Sequence, residues 1–108
     1  MKYIRKDMFD LLSNMDKVIV YLLLHKGSYV KCYKIERACH LTKGTAGSYI
    51  KWLRFKGIVK RRRVSEGSNV KYIYSINKLA KNKQYLQSLI ITTEHGKIRD
   101  GNTPSITR

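Results

Sequence analysis

Apolar residues recur at threes and fours from the start of the chain. Met8, Leu11, Leu12, Met15, Val18, Ile19, Leu22 and Leu23 fall on one side of a helix predicted over residues 1–25. Ser13-Asn14 interrupts it with two cap-favouring residues, so the segment is either one rod or two pieces. Lys26-Gly27-Ser28 ends it, and Tyr29-Val30 reads as a short strand. A second helix is predicted over 32–39, with Ile35, Ala38 and Cys39 inward and Lys31, Lys34 and Arg37 outward. After the tight link His40-Leu41-Thr42 comes a third helix, with Leu41, Ala46, Ile50 and Leu53 as its buried line. Thr42 stands where its N-cap belongs and Gly57 where it ends.

The period then changes from a helix's to a strand's. Residues 58–64 and 70–76 flank the polar turn 65–69. Val70, Tyr72, Tyr74 and Ile76 alternate with Lys71, Ile73 and Ser75. Asn77 can cap a last helix over 78–92, whose apolar positions are Leu79, Leu86, Leu89 and Ile90. Lys78, Lys81 and Lys83 crowd its first half and oppose the helix dipole, so that helix depends on packing. Residues 93–108 hold two glycines, a proline and few apolar side chains, and read as a mobile tail. The fold class is mainly α with a small β-hairpin.

Charge narrows the function. Twenty-three Lys and Arg stand against seven Asp and Glu, a net +16 over 108 residues. Such a surface repels itself unless a polyanion is present, which makes nucleic acid the default partner. Anionic membrane is the rival. The cations are spread along the chain instead of lining one amphipathic helix, and the longest apolar run, 18–24, is too short to span a bilayer. The charged start of the chain does not read as a signal peptide. The two cysteines suggest no disulfide framework, consistent with a reducing, cytoplasmic and nucleoid-associated setting.

The most informative stretch is LTKGTAGSYIKWLRFKGIV, residues 41–59. It resembles the recognition helix of a winged helix-turn-helix protein, in which L-T/S-x-x-T-A/V-x-x-x-I/L-x-x-L-x-x-x-G-I/L-V recurs. Leu41, Thr42, Thr45, Ala46, Ile50, Leu53, Gly57, Ile58 and Val59 fill the slots. With the order of elements over residues 14–77, the chain is similar to MarR/PadR-type DNA-binding proteins, with Arg54 where that family usually has an acidic residue. The resemblance implies a winged helix-turn-helix domain at 14–77 that binds double-stranded DNA as a homodimer. It leaves a helical extension at 1–13, a further helix at 78–92 and the tail at 93–108. The apolar stripe of the extension has nothing in a minimal domain to cover it. Ile4, Met8, Leu11 and Leu12, with Leu79, Leu86, Leu89 and Ile90 of the last helix, are therefore expected at a dimer interface.

The same resemblance assigns the DNA contacts. On the third helix they are Thr42, Lys43, Gly44, Thr45, Gly47, Ser48, Lys51, Trp52 and Arg54. Lysine can pair with guanine acceptors, and Thr or Ser with either base type. Gly44 and Gly47 disfavour helix, which fits a backbone that must come close to a partner; the plain reading is a solvated face. On the wing the expected contacts are Lys60, Arg61, Arg62, Arg63, Ser65, Gly67, Ser68, Asn69 and Lys71. Alternation puts Lys60 and Arg62 on one face and Arg61 and Arg63 on the other, so one pair meets phosphates and the other the sheet or solvent. A solubility patch or targeting signal is the rival reading for that run.

Other chemistry is thin. Cys32 and Cys39 are seven apart on one helix, about 10 Å along its axis, too far for one metal or a disulfide. No Ser-His-Asp set, paired carboxylates or phosphate-cradling loop is present, so no enzyme, cofactor or metal is expected. The functional expectation is a sequence-specific, dimeric transcription regulator, most simply a repressor. Two alternatives stand beside it: a partition or architectural protein that spreads along DNA, and single-strand binding by stacking on Tyr72 and Tyr74.

Overall fold

The structure, a computed structural model, describes residues 2–92. The expected tail at 93–108 lies outside the described residues. In chain order the elements are β1 (Lys2–Tyr3), α1 (Lys6–Asp10), α2 (Asn14–Leu24), β2 (Val30–Lys31), α3 (Cys32–Cys39), α4 (Thr45–Phe55), β3 (Val59–Glu66) and β4 (Asn69–Ile76). A 3-10 turn at Lys81–Lys83, α5 (Tyr85–Ser88) and β5 (Ile91–Thr92) complete it. Helix α2 is the spine. Val18, Ile19, Val20, Tyr21, Leu22 and Leu23 are all buried, because α3, α4, β4 and α5 pack around it from different sides.

The N-terminal segment is two helices, not one. Ser13 adopts an extended conformation, and its hydroxyl accepts the Asp16 N–H at 3.2 Å, capping α2. The chain before it doubles back. Ile4 is fully buried and Phe9 nearly so, both joining the core of α2. Arg5 and Asp7 pair at 2.7 Å in the open, a contact of little weight.

The C-terminal segment also departs from expectation. Residues 78–80 are not helical, and only the four residues of α5 form an α-helical turn. Asn77 does not cap a helix; its side-chain amide donates to Gly57 O at 3.1 Å. The lysine-rich first half had little helical propensity to defend, and tertiary contacts decide its course instead. Asp16 is 6% exposed and accepts from Lys83 Nζ at 2.9 Å and from Tyr85 OH at 3.1 Å. That hydrogen bond pushes the Lys83 ammonium above its ordinary lysine value. The clasp seats Leu86, fully buried, against α2. β5 then pairs antiparallel with β1, Lys2 opposite Thr92 and Tyr3 opposite Ile91.

These courses correct part of the expected dimer interface. Ile4, Leu79 and Leu86 are closed inside the protomer, because the terminal segments fold back and cover their own apolar stripe. Met8, Leu12, Leu89 and Ile90 pack half-buried on the same core. Leu11 alone of that set is fully exposed, at 81%.

The second sheet has three strands in the order β2-β4-β3, all antiparallel. Burial along β4 falls off toward the turn: Ser75 and Ile76 are buried, and Asn69 to Tyr72 are exposed. The hairpin therefore stands out from the body as an arm rooted at its base. Glu66 pairs with Asn69, so the turn is only Gly67-Ser68, shorter than the polar stretch suggests.

Candidate nucleic-acid interface

Helix α4 is set on the core by Ala46, Ile50 and Leu53, all at most 2% exposed. Both its ends are fixed by backbone devices. At the C-terminal end Gly57 has φ +79; its N–H bonds Arg54 O at 3.0 Å and the Ile58 N–H bonds Leu53 O at 2.9 Å. This closure needs a left-handed residue, which glycine supplies. It turns the chain directly from α4 into β3, so the helix and the arm are held as neighbours.

The N-terminal end differs from expectation. Thr42 is not the N-cap; its hydroxyl bonds that of Thr45, and Gly44 takes the cap position with φ +90. Gly44 is therefore not a helical glycine. A Cβ there would meet nothing within 4 Å, so the requirement is the dihedral and not space. The Gly44 N–H donates to Glu36 Oε2 of α3 at 2.7 Å. His40 ends α3 in the left-handed region, φ 56, and the Leu41 N–H returns to Glu36 O at 2.9 Å. Glu36 thus ties α3, the turn and α4 together through both its carbonyl and its carboxylate. Sequence reasoning missed it; the signal was a single acidic residue between positions 17 and 65.

Replacing Glu36 separates its charge from its bond. Glu36→Ala should lower stability by about 1 kcal/mol, and Glu36→Gln, which keeps a carbonyl acceptor, by less. Both remove a negative charge beside the basic face, so both should raise affinity for random duplex. Only the alanine should narrow the gap between a preferred and a random duplex. Paired titrations on two such duplexes, with denaturation curves, check this.

The remaining expected contacts lie where a partner could reach them. Thr42, Lys43, Gly44, Gly47, Ser48, Lys51 and Trp52 are exposed, and Thr45 and Arg54 half-buried. On the arm, Lys60, Arg61, Arg62, Arg63, Ser65, Gly67, Ser68, Asn69 and Lys71 are all exposed. Aromatic rings hold three of the cations. Arg61 lies 4.0 Å over Tyr72 on one face; Arg62 at 4.5 Å and Lys60 at 5.9 Å flank Tyr29 on the other. Both faces of the arm therefore present positive charge, and α4 has no Asp or Glu. In the sequence Tyr29 reads only as a strand residue, and the exposed Phe55 went unremarked although it follows Ser48 and Lys51 at helical spacing.

Burial pushes the Cys39 thiol up to about 12 and raises that of Cys32. Among the described residues no group of three or more His, Cys, Asp or Glu could hold a metal, and no helix is long and apolar enough to cross a membrane.

No family model matches the chain, and no curated protein does. Solved structures do. A possible transcriptional regulator from Methanosarcina mazei Go1 superposes with a TM-score of 0.56 at 22% identity, covering 78% of this chain and 71% of that one. A point mutant of MepR from a multidrug-resistant S. aureus clinical isolate gives 0.53 at 16% identity over 76% and 56% of the two chains. ZitR of Lactococcus lactis, a zinc-responsive MarR family member, gives 0.51 at 13% over 73% and 50%. The chain has the winged helix-turn-helix fold. In it α3 and α4 are the helix-turn-helix and β3 and β4 the wing. The match spans only about half the length of the last two proteins.

Proposed function

We propose that the chain binds double-stranded DNA as a transcription regulator, with α4 in the major groove and the wing on the adjoining backbone. The observation that carries this is the outer face of α4, cationic and free of acid, rigidly joined through Gly57 to a wing cationic on both faces. Phosphate contacts from the wing would position the protein, and Lys43, Thr45 and Ser48 near the start of α4 would read base edges. The winged-helix likeness to regulators supports the same reading. A repressor acting as a homodimer in the cytoplasm, on the nucleoid, is its most concrete form. The apolar residues left for such a dimer are the exposed Leu11 and the half-buried Met8, Leu12, Leu89 and Ile90.

Stacking of single strands is the weaker reading, since Arg61 already covers the Tyr72 ring and Tyr74 is half-buried. Trp52, the one tryptophan of the chain, is 48% exposed on the outer face of α4, so its fluorescence reports occupancy directly. Duplex should change that emission and compete against single strands; a preference for single strands would overturn the proposal. A footprint on the upstream region of its own gene then separates two modes. A fixed symmetric site indicates a dimeric regulator, and a tract that grows with concentration indicates spreading of the partition or architectural kind.

A further inference from the structure

The outer face of α4 carries an apolar feature that phosphate contacts do not account for. Ser48, Lys51 and Phe55 follow one another at steps of three and four, opposite the buried line of Ala46, Ile50 and Leu53. Phe55 is 85% exposed, and Trp52 stands beside it. With Ser48, Lys51 and Arg54 these two rings line a concavity of about 430 Å³. Two exposed rings lining one concavity and rimmed by cations are the mark of a contact surface.

Charge decides which partner. Lys51 and Arg54 border the concavity, Lys56 Nζ lies 5.3 Å from the centre of the Trp52 ring, and α4 has no carboxylate to neutralise them. A second copy of the chain would set these cations against each other, and an apolar protein surface would strip them of water. Duplex DNA offers phosphates for the cations and, on the major-groove floor, one apolar group: the C5 methyl of thymine. We propose that Phe55, backed by Trp52, contacts thymine methyl groups in the major groove. The protein then prefers thymine-bearing duplex through an apolar contact, in addition to whatever Lys43 and its neighbours read by hydrogen bonds. This rests on the duplex-DNA reading above.

The test changes only the methyl. Dissociation constants are measured for the wild type, Phe55→Ala and Phe55→Leu on a short A·T duplex and on the same duplex with deoxyuridine replacing every thymidine. The wild type should bind the thymine duplex more tightly, by about fourfold for each methyl contacted. Phe55→Ala should bind both duplexes equally, near the wild-type level on the uracil duplex, and Phe55→Leu should fall between. Equal wild-type binding to the two duplexes, or an undiminished preference in Phe55→Ala, overturns the proposal while leaving DNA binding intact. Failure of the wild type to bind either duplex removes the DNA reading itself, and this inference with it. Sedimentation without DNA closes the remaining route: self-association that Phe55→Ala abolishes would show that a second copy covers the ring, and would also overturn it.

Discussion

Leu86→Ala should lower the stability of the folded protomer by about 2–5 kcal/mol, the range for truncating a fully buried leucine. The short α5 that carries Leu86 has almost no intrinsic helical stability, so its position depends on this side chain and on the Asp16 clasp. Denaturation at several protein concentrations distinguishes this from a subunit contact. A core residue shifts the midpoint by the same amount at every concentration, whereas an interface residue would yield a folded monomer whose loss depends on dilution. Leu11→Ala, at an exposed position, should move the protomer's stability by no more than about 0.5 kcal/mol. A large, dilution-independent effect at Leu11 with none at Leu86 would reverse the assignment of these terminal segments.

The second large effect concerns the wing. Removing one phosphate contact should make the slope of log affinity against log salt shallower by about 0.9, roughly an eightfold loss near 0.1 M salt. Arg61→Ala and Arg62→Ala probe opposite faces of the strand, so the one on the phosphate-facing side should show this, on specific and random duplex alike, because phosphates carry no sequence. Alanine at Lys60, Arg61, Arg62 and Arg63 together should multiply the losses wherever each contact is made. Tyr29→Leu is the informative partner: it keeps every charge but removes the ring that Arg62 and Lys60 flank. Affinity should fall modestly with no change in salt slope, since positioning is lost and charge is not. An unaltered slope in the arginine variants would place the phosphates elsewhere.

The residues that the sequence read well are those whose neighbours lie close in the chain. Ala46, Ile50 and Leu53 announce a helix through local period, and the alternation of β4 announces its pairing with β3. The cationic residues of the face and arm were legible for the same reason. Partners distant in sequence were not. Nothing local says that Asp16 will hold Lys83 and Tyr85, 67 and 69 residues away, or that the Asn77 and Lys78 N–H groups will bond Ile58 O where the last helix was expected to start. Glu36 was missed because its charge looked like that of any solvated side chain, while its role is a bond to a backbone amide eight residues on. Apolar stripes at the two ends read as a subunit contact because period reports which side of a helix is greasy and not what lies against it. Ile4 and Leu86 turn out to cover the same core from opposite ends of the chain.

The pairing of β1 with β5 governs how the molecule comes apart. Each strand is two residues long and finds its only sheet partner, among the described residues, in the other. Neither can persist alone, so the first and last described segments form one cooperative unit of the kind that opens below the global unfolding energy. A nick or a fusion at one end thereby loosens the other. Loosening also carries Ile4 away from the spine helix, so an attachment nowhere near the wing can reach the packing on which the cationic side stands.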